Sequence, residues 1–325
     1  SVGRAAELIA RRGEMTHPDR TTGDDHLIAG GVKLYIDGSG GARTAWLYDD
    51  WNRNFTEVDG GNRGYPAANP DTIRTMIRMF HDAGMHVSVH SIGDRGIDWT
   101  VDTYARAMRE NPKPGLRHGI IHANIPTDRA LDVMADLERR YDAAYPEPSG
   151  TFMWWIGDTY AGNFGPERSL RLDPFKSFQA RGIRWANGSD YNVTPFPARY
   201  GIWASVARET LLGVYGKNPW GTDQAIDVRT ADLSAPAASG ILPADVVTAN
   251  LTGDTLVRHA GTIVGLTRPG GRIILGGILA SEEGRVAAAF VREGASPIAQ
   301  RSEGEWIGLL FGGPNATSPS GPKGR

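Results

Sequence analysis

Cysteine is absent from all 325 residues, so the chain holds no disulfide, no thiolate metal site and no cysteine nucleophile. Any metal must therefore rest on nitrogen and oxygen ligands. No run approaches the roughly 20 apolar residues that a membrane span needs. The stretch from Arg11 to Asp25 also lacks the apolar middle of a secretory signal. An excess of charge of one sign is missing too: 35 Lys and Arg stand against 37 Asp and Glu, for a net charge of −2. Such a balance gives no broad basic field for a phosphate backbone or an anionic membrane. A cytoplasmic location and a small-molecule substrate are the expectations, with neither nucleic acid nor membrane as partner.

What is present is core material, 40% apolar residues with 9 Trp, 10 Tyr and 9 Phe, enough for one barrel or two ordinary domains. Four apolar runs end in residues able to hold a divalent metal: 31–37 to Asp37, 86–90 to His90, 119–122 to His122 and 183–190 to Asp190. Strands converging on one rim of a parallel barrel bring such distant residues together. Lys33, two places along the first run, shares a strand face with Tyr35, opposite Val32 and Leu34. A lysine turned into a barrel needs a partner or neutralisation.

Helical signals fall between these runs. Ile73, Met76, Ile77 and Phe80 form a stripe that Asn69 or Asp71 can cap and Gly84 can stop, and Leu131, Met134 and Leu137 repeat the design after Pro126-Thr127. Residues 151–156, Thr-Phe-Met-Trp-Trp-Ile, read as a further strand. The candidates at 33, 90, 122 and 190 lie 57, 32 and 68 residues apart, against about 30 for one strand–helix unit of an eight-stranded barrel. This spacing predicts about five strands.

From about residue 231 the texture changes to short strands rich in Ala and Gly at 244–251, 272–279 and 305–311, with a helix over 255–266 and a turn over Arg268-Pro-Gly-Gly. The tail from Gly312 carries too little apolar surface to order itself.

Taken singly, a strand-end histidine is most often a hydrogen-bonded core residue, and an aspartate after Asn-Gly-Ser caps a helix as often as it serves a site. His86 and His118 each lie four residues from His90 and His122, about 13 Å down an extended strand, so neither can share a metal with its neighbour.

The ordered segments Gly-Val-Lys-Leu-Tyr-Ile-Asp-Gly (31–38), His-Ser-Ile-Gly-Asp-Arg (90–95), Arg-His-Gly-Ile-Ile-His-Ala (117–123) and Asn-Gly-Ser-Asp (187–190) resemble the third family of amidohydrolases. The resemblance covers residues 1–230. It implies an α/β fold, a partial (β/α) barrel with about five of eight strands, and a metal-dependent hydrolase acting on the C–N bond of an amide, formamide or cyclic imide. By the resemblance Lys33, often carboxylated in the family, His90, His122 and Asp190 hold one or two divalent ions of the zinc type. Asp190 is then also the catalytic proton carrier, and Asp94 and Arg95 orient the ligands. Trp154, Trp155, Phe164 and Tyr191 are the candidates for lining a substrate pocket. The family's first strand carries a His-x-His pair, which occurs nowhere in this chain.

Residues 245–251, 268–279 and 303–307 resemble the distal part of the methyltransferases that modify a large-subunit ribosomal protein. The resemblance implies a small Rossmann-like segment over 231–313, before a disordered tail at 314–325. Asp37-Gly-Ser-Gly-Gly41 imitates a cofactor loop but reads as a barrel loop, since no strand with an acidic end follows about 20 residues later. The functional readings are a hydrolase, a catalytically impaired fused chain that associates with itself through exposed barrel edges, and an S-adenosylmethionine-dependent methyltransferase.

Overall fold

Apolar stripes at helical spacing and alternating strands dictate the first layer pair. Residues are described in the computed structural model over 1–12, 17–19, 24–27, 30–52, 60–213, 221–226 and 243–314. Two compact units result, Ser1–Asp227 and Val228–Arg325.

In the first unit α1 (Val2–Ala10) precedes an antiparallel pair, β1 (His17–Asp19) and β2 (Asp24–Leu27). Then come β3 (Gly31–Tyr35), α2 (Pro70–Asp82), β4 (His86–Ser91), α3 (Asp94–Glu110), β5 (Gly119–His122), α4 (Asp128–Tyr141) and β6 (Tyr145–Glu147). The sheet is parallel throughout, in the order β3-β4-β5-β6. Helix α2 starts where Asn69 accepts from the amides of Asp71 and Thr72 at 2.9 and 3.2 Å, with Pro70 in the first turn. Thr127 caps α4 in the same way, accepting from Ala130 N at 2.9 Å.

Among the described residues, α2, α3 and α4 cover one face. Val87, Val89 and Ile120 are fully buried beneath Ile73, Ile77 and Phe80 of α2, Ile97, Val101 and Tyr104 of α3, and Leu131, Met134 and Leu137 of α4. The other face, the lumen side of a barrel, carries Lys33, Tyr35, His86, Ser88, His90, Gly119 and Ile121, by strand alternation and register. A polar thread crosses it: His86 Nε2 lies 2.7 Å from Ser88 Oγ, which donates to Glu147 Oε1 at 3.0 Å. Gly119 leaves room for this thread, since a Cβ there would overlap the Glu147 carboxylate and displace it.

The partial barrel stands with a corrected strand list, four parallel strands among the described residues. Residues 151–156, expected as a strand, form a helix, α5 (Thr151–Trp155), and the strand lies just before it, at β6. Residues 183–189 run without strand pairing. Short helices α6 (Gly157–Phe164), α7 (Pro166–Ser169), α8 (Phe175–Ala180) and α9 (Ala198–Ala207) complete the unit. Lys33 is exposed, so its ammonium meets solvent and needs no neutralising partner, contrary to the expectation for a closed barrel.

Behind the sheet a chain of imidazoles has only one arrangement of protons. Val87 N donates to His118 Nδ1 at 3.1 Å, so the His118 proton sits on Nε2, 2.9 Å from His81 Nδ1. His81 Nε2 then donates to Asn111 O at 2.7 Å. Burial, with smaller contributions from His81 and His86, holds His118 down at about 3. The unfolded chain takes up this proton near pH 6.5 and the folded one does not, so His118 subtracts stability as pH falls from 6.5 toward 3. Asp37 and Asp173, raised to about 7 and about 6 mainly by burial, act in the opposite sense. Against urea, the signed slope of stability with pH for His118→Gln should therefore lie below that of wild type by about 1.4 kcal/mol per unit between pH 4 and 6. Parallel slopes would refute the neutral chain.

The second unit is described on its own. It comprises β7 (Ala244–Asn250), α10 (Gly253–Arg258), α11 (Ala260–Gly265), β8 (Thr267–Leu279), α12 (Glu283–Arg292), β9 (Ser296–Glu303) and β10 (Trp306–Gly312). Its sheet runs β7-β8-β10-β9, with only the β7–β8 pair parallel. Leu256, Ile263, Ile273, Leu275, Val286, Phe290 and Phe311 form its core. The helix expected over 255–266 divides at His259, and the turn expected at 268–271 lies within β8, where Gly270 takes φ 76° and the pairing shifts register. Strand β9 was not expected. Of the tail expected from Gly312, that residue belongs to β10, and 315–325 lie outside the described residues, as does the expected boundary near 230, within 227–242.

Candidate active site

The site is assembled where β3, β4 and β5 end. His90 lies on the lumen face, paired in register with Tyr35 and Ile121. His122 pairs with Ser91, so alternation alone would turn it to the opposite face. Backbone geometry overrides this: His122 and Ala123 both take left-handed conformations, φ 73° and 43°. The two imidazoles meet edge to face with centroids 4.5 Å apart, and Phe152 of α5 stacks on the far side of His122 at 5.3 Å.

Each ring has one nitrogen engaged by the protein. His90 Nε2 donates to Gly38 O at 2.9 Å, leaving Nδ1 as the lone-pair nitrogen of the neutral ring. His122 Nδ1 lies 3.2 Å from Ser149 Oγ. Burial is the main cause that lowers both pKa values; the Lys33 charge adds to it for both, and the Asp190 charge opposes it at His90. Both rings are thereby kept neutral, the form that binds a metal.

The expected set of four does not close. Lys33 and Asp190 are near enough for their charges to reach the imidazoles, but among the described residues no three His, Asp or Glu side chains cluster as a metal site. Asp190 misses the cluster because its segment is a loop with a left-handed turn, φ 50°, and not a strand end. Among the described residues two imidazoles thus meet as candidate metal ligands.

Asp94 and Arg95 open α3 and engage a neighbouring loop. Asp94 accepts from Tyr48 N at 3.0 Å, and the Arg95 guanidinium stacks 4.5 Å from the Trp46 ring. Of the aromatic candidates, Trp154 lines an apolar cavity of about 510 Å³ with Arg199, Tyr200 and Trp203. Trp155 packs against Trp154 at 5.5 Å, Phe164 is buried in the core, and Tyr191 is 72% exposed beside Phe196.

Asp37 has a role that the sequence reading did not assign. Its carboxylate, 2% exposed, accepts from Trp46 N at 3.0 Å, Ile92 N at 3.0 Å and Gly93 N at 2.8 Å. It joins the end of β3 to the end of β4 and fixes the turn that offers Gly38 O to His90. A Cβ on Gly93 would overlap the Trp46 carbonyl. The imitation cofactor loop of 37–41 is this same rim turn, with Gly40 against the Tyr160 ring.

Residues 3–231 match the model of the amidohydrolase family, and residues 222–312 match that of the ribosomal protein L11 methyltransferase. The putative amidohydrolase YtcJ of Bacillus subtilis (strain 168) is 26% identical over 181 residues, covering 56% of this chain and 32% of that protein. The ribosomal protein L11 methyltransferase of Azotobacter vinelandii is 31% identical over 199 residues, covering 53% of this chain and 66% of that protein. Among solved structures, an uncharacterized metal-dependent hydrolase from Pyrococcus furiosus superposes with a TM-score of 0.50 at 25% identity, covering 62% of this chain and 39% of that one. The chain thus spans about a third of the curated amidohydrolase relative. With the model matched over most of its length, the chain belongs to the amidohydrolase family.

Proposed function

We propose that the first unit serves metal-dependent hydrolysis of a C–N bond in an amide, formamide or cyclic imide, with His90 and His122 as the imidazole ligands of a divalent ion of the zinc type. The observation that carries this reading is the convergence of two neutral imidazoles at the strand ends, each with one nitrogen already oriented by the protein. Such an ion, when bound, supplies a water of lowered pKa and polarises a carbonyl. Gly38 O fixes the His90 tautomer, and Ser149 steadies the His122 ring. Asp190 takes a proton at its carboxylate oxygen and returns it to the leaving nitrogen. Lys33, exposed on the same face, either keeps its charge or gains a carboxylate there, and the apolar cavity beside Trp154 takes the side chain of the substrate.

The test is zinc stoichiometry by elemental analysis, together with turnover of simple N-acyl and N-formyl amines. Bound zinc near one per chain is expected. Asp190→Asn should keep that zinc while losing at least about 100-fold in kcat. Protein free of zinc after dialysis against the metal would sink the reading.

A second reading is favoured by the place of β3 at the edge of the parallel sheet among the described strands. In it the chain pairs with a second copy along the β3 edge and does no chemistry. Concentration-dependent sedimentation of a zinc-free, inactive protein would support it, and a monomer at all concentrations would exclude it.

A further inference from the structure

His122 reaches His90 only because two successive non-glycine residues hold left-handed conformations, and such backbone persists only where its surroundings over-determine it. On one side Ala123 N donates to Ser91 O at 3.1 Å. On the other the constraint passes through Asn124 and Asp173, neither of which is exposed at all. Asp173 N donates to Asn124 O at 2.8 Å, and Asn124 Nδ2 donates to Asp173 Oδ1 at 2.8 Å. Asp173 is braced in turn by the buried Arg208, which donates to the carbonyls of Asp173 and Leu172 at 3.0 and 2.7 Å. Arg171 Nη2 ties the same segment to Pro126 O at 2.6 Å.

Two oxygens of this pair, Asn124 Oδ1 and Asp173 Oδ2, are buried and accept no hydrogen bond among the described residues. Two such acceptors on side chains already joined by one hydrogen bond are costly if left so. A single proton removes both penalties. A neutral carboxylic acid facing a carboxamide forms a ring of two antiparallel hydrogen bonds, N–H to carbonyl and O–H to carbonyl.

We propose that Asn124 and Asp173 are positioning residues for His122, locked together by a proton on Asp173 Oδ2 that is donated to Asn124 Oδ1. The ring holds residues 122–124 in the reversed turn that brings the imidazoles face to edge. Burial pushes the Asp173 carboxyl up to about 6, against the lowering effects of the Asn124 donor and the Arg208 charge. A bond donated from Oδ2 exists only in the acid form and raises it further.

Asparagine presents the same pattern as a neutral acid, one carbonyl and one donor, whereas leucine has neither. Asp173→Asn, Asp173→Leu and Asn124→Ala are compared by the ring signals of His122 in histidine-selective NMR and by zinc affinity in competition with a chelator. Asp173→Asn is expected to keep the wild-type His122 signals and zinc affinity within about threefold, while losing the infrared band of a protonated carboxyl. Asp173→Leu and Asn124→Ala should each shift the His122 signals and weaken zinc by more than about tenfold. Wild-type signals in Asn124→Ala, or a disturbance in Asp173→Asn as large as that in Asp173→Leu, would overturn the proposal. The variant at 124 decides the matter if the leucine protein does not fold. The zinc measurement rests on the hydrolase reading above and the ring signals do not, so a wild-type protein that binds no zinc removes that reading and leaves the clamp to be judged by NMR.

Discussion

Asp37→Asn should lower the unfolding free energy of the first unit by about 3 kcal/mol, read as a fall in the urea midpoint with an unchanged slope. The substitution creates no cavity, so packing loss cannot account for the effect. It presents amide hydrogens to amide hydrogens: of the three donors now gathered by the carboxylate, from Trp46, Ile92 and Gly93, an asparagine oxygen satisfies one or two. The remainder stay buried without an acceptor. His90 should feel the change too, because Gly38 follows Asp37 directly and its carbonyl takes the His90 proton. A midpoint within error of wild type would show that the cradle does not hold the rim.

Loss of either imidazole should be the largest effect on metal. His90→Ala and His122→Ala are each expected to weaken zinc by about 100-fold or more, beyond what a lost partner behind a ligand costs. The double variant should be little worse than either single one, since one imidazole alone no longer forms a site. Chelator competition measures all three. A urea titration of each variant separates loss of metal from loss of fold, which matters most at His122, buried and stacked on Phe152. An additive loss would mean that the two rings bind separate ions.

Much of this architecture is legible in the sequence. Helices α2 and α4 announce themselves through capping side chains and apolar stripes, and β4 and β5 through short runs of Val and Ile. Misreadings occurred where local pattern is ambiguous. Thr151–Trp155 is an apolar run too short to display either period, so strand and helix fit it equally. The true strand at Tyr145–Glu147 contains Pro146, which is tolerated because β6 is the edge of the sheet. Strand β9, with every residue exposed, has no buried alternation to betray it. At the site, the residue types at His90 and His122 were legible, while the reversal of His122 was not, because a positive φ at histidine leaves no mark in composition. Asp37 ended the first apolar run and drew notice for that, but its three amide partners come from segments about 9 and 55 residues away, which strand spacing alone does not connect.

The thread from His86 through Ser88 to Glu147 has a bearing on selectivity. These groups are already engaged with one another, so a ligand resting above the middle of the sheet has to compete with bonds in place there. Discrimination between one compound and the next is consequently delegated to the loops around the mouth, which can diversify while the floor beneath them stays the same.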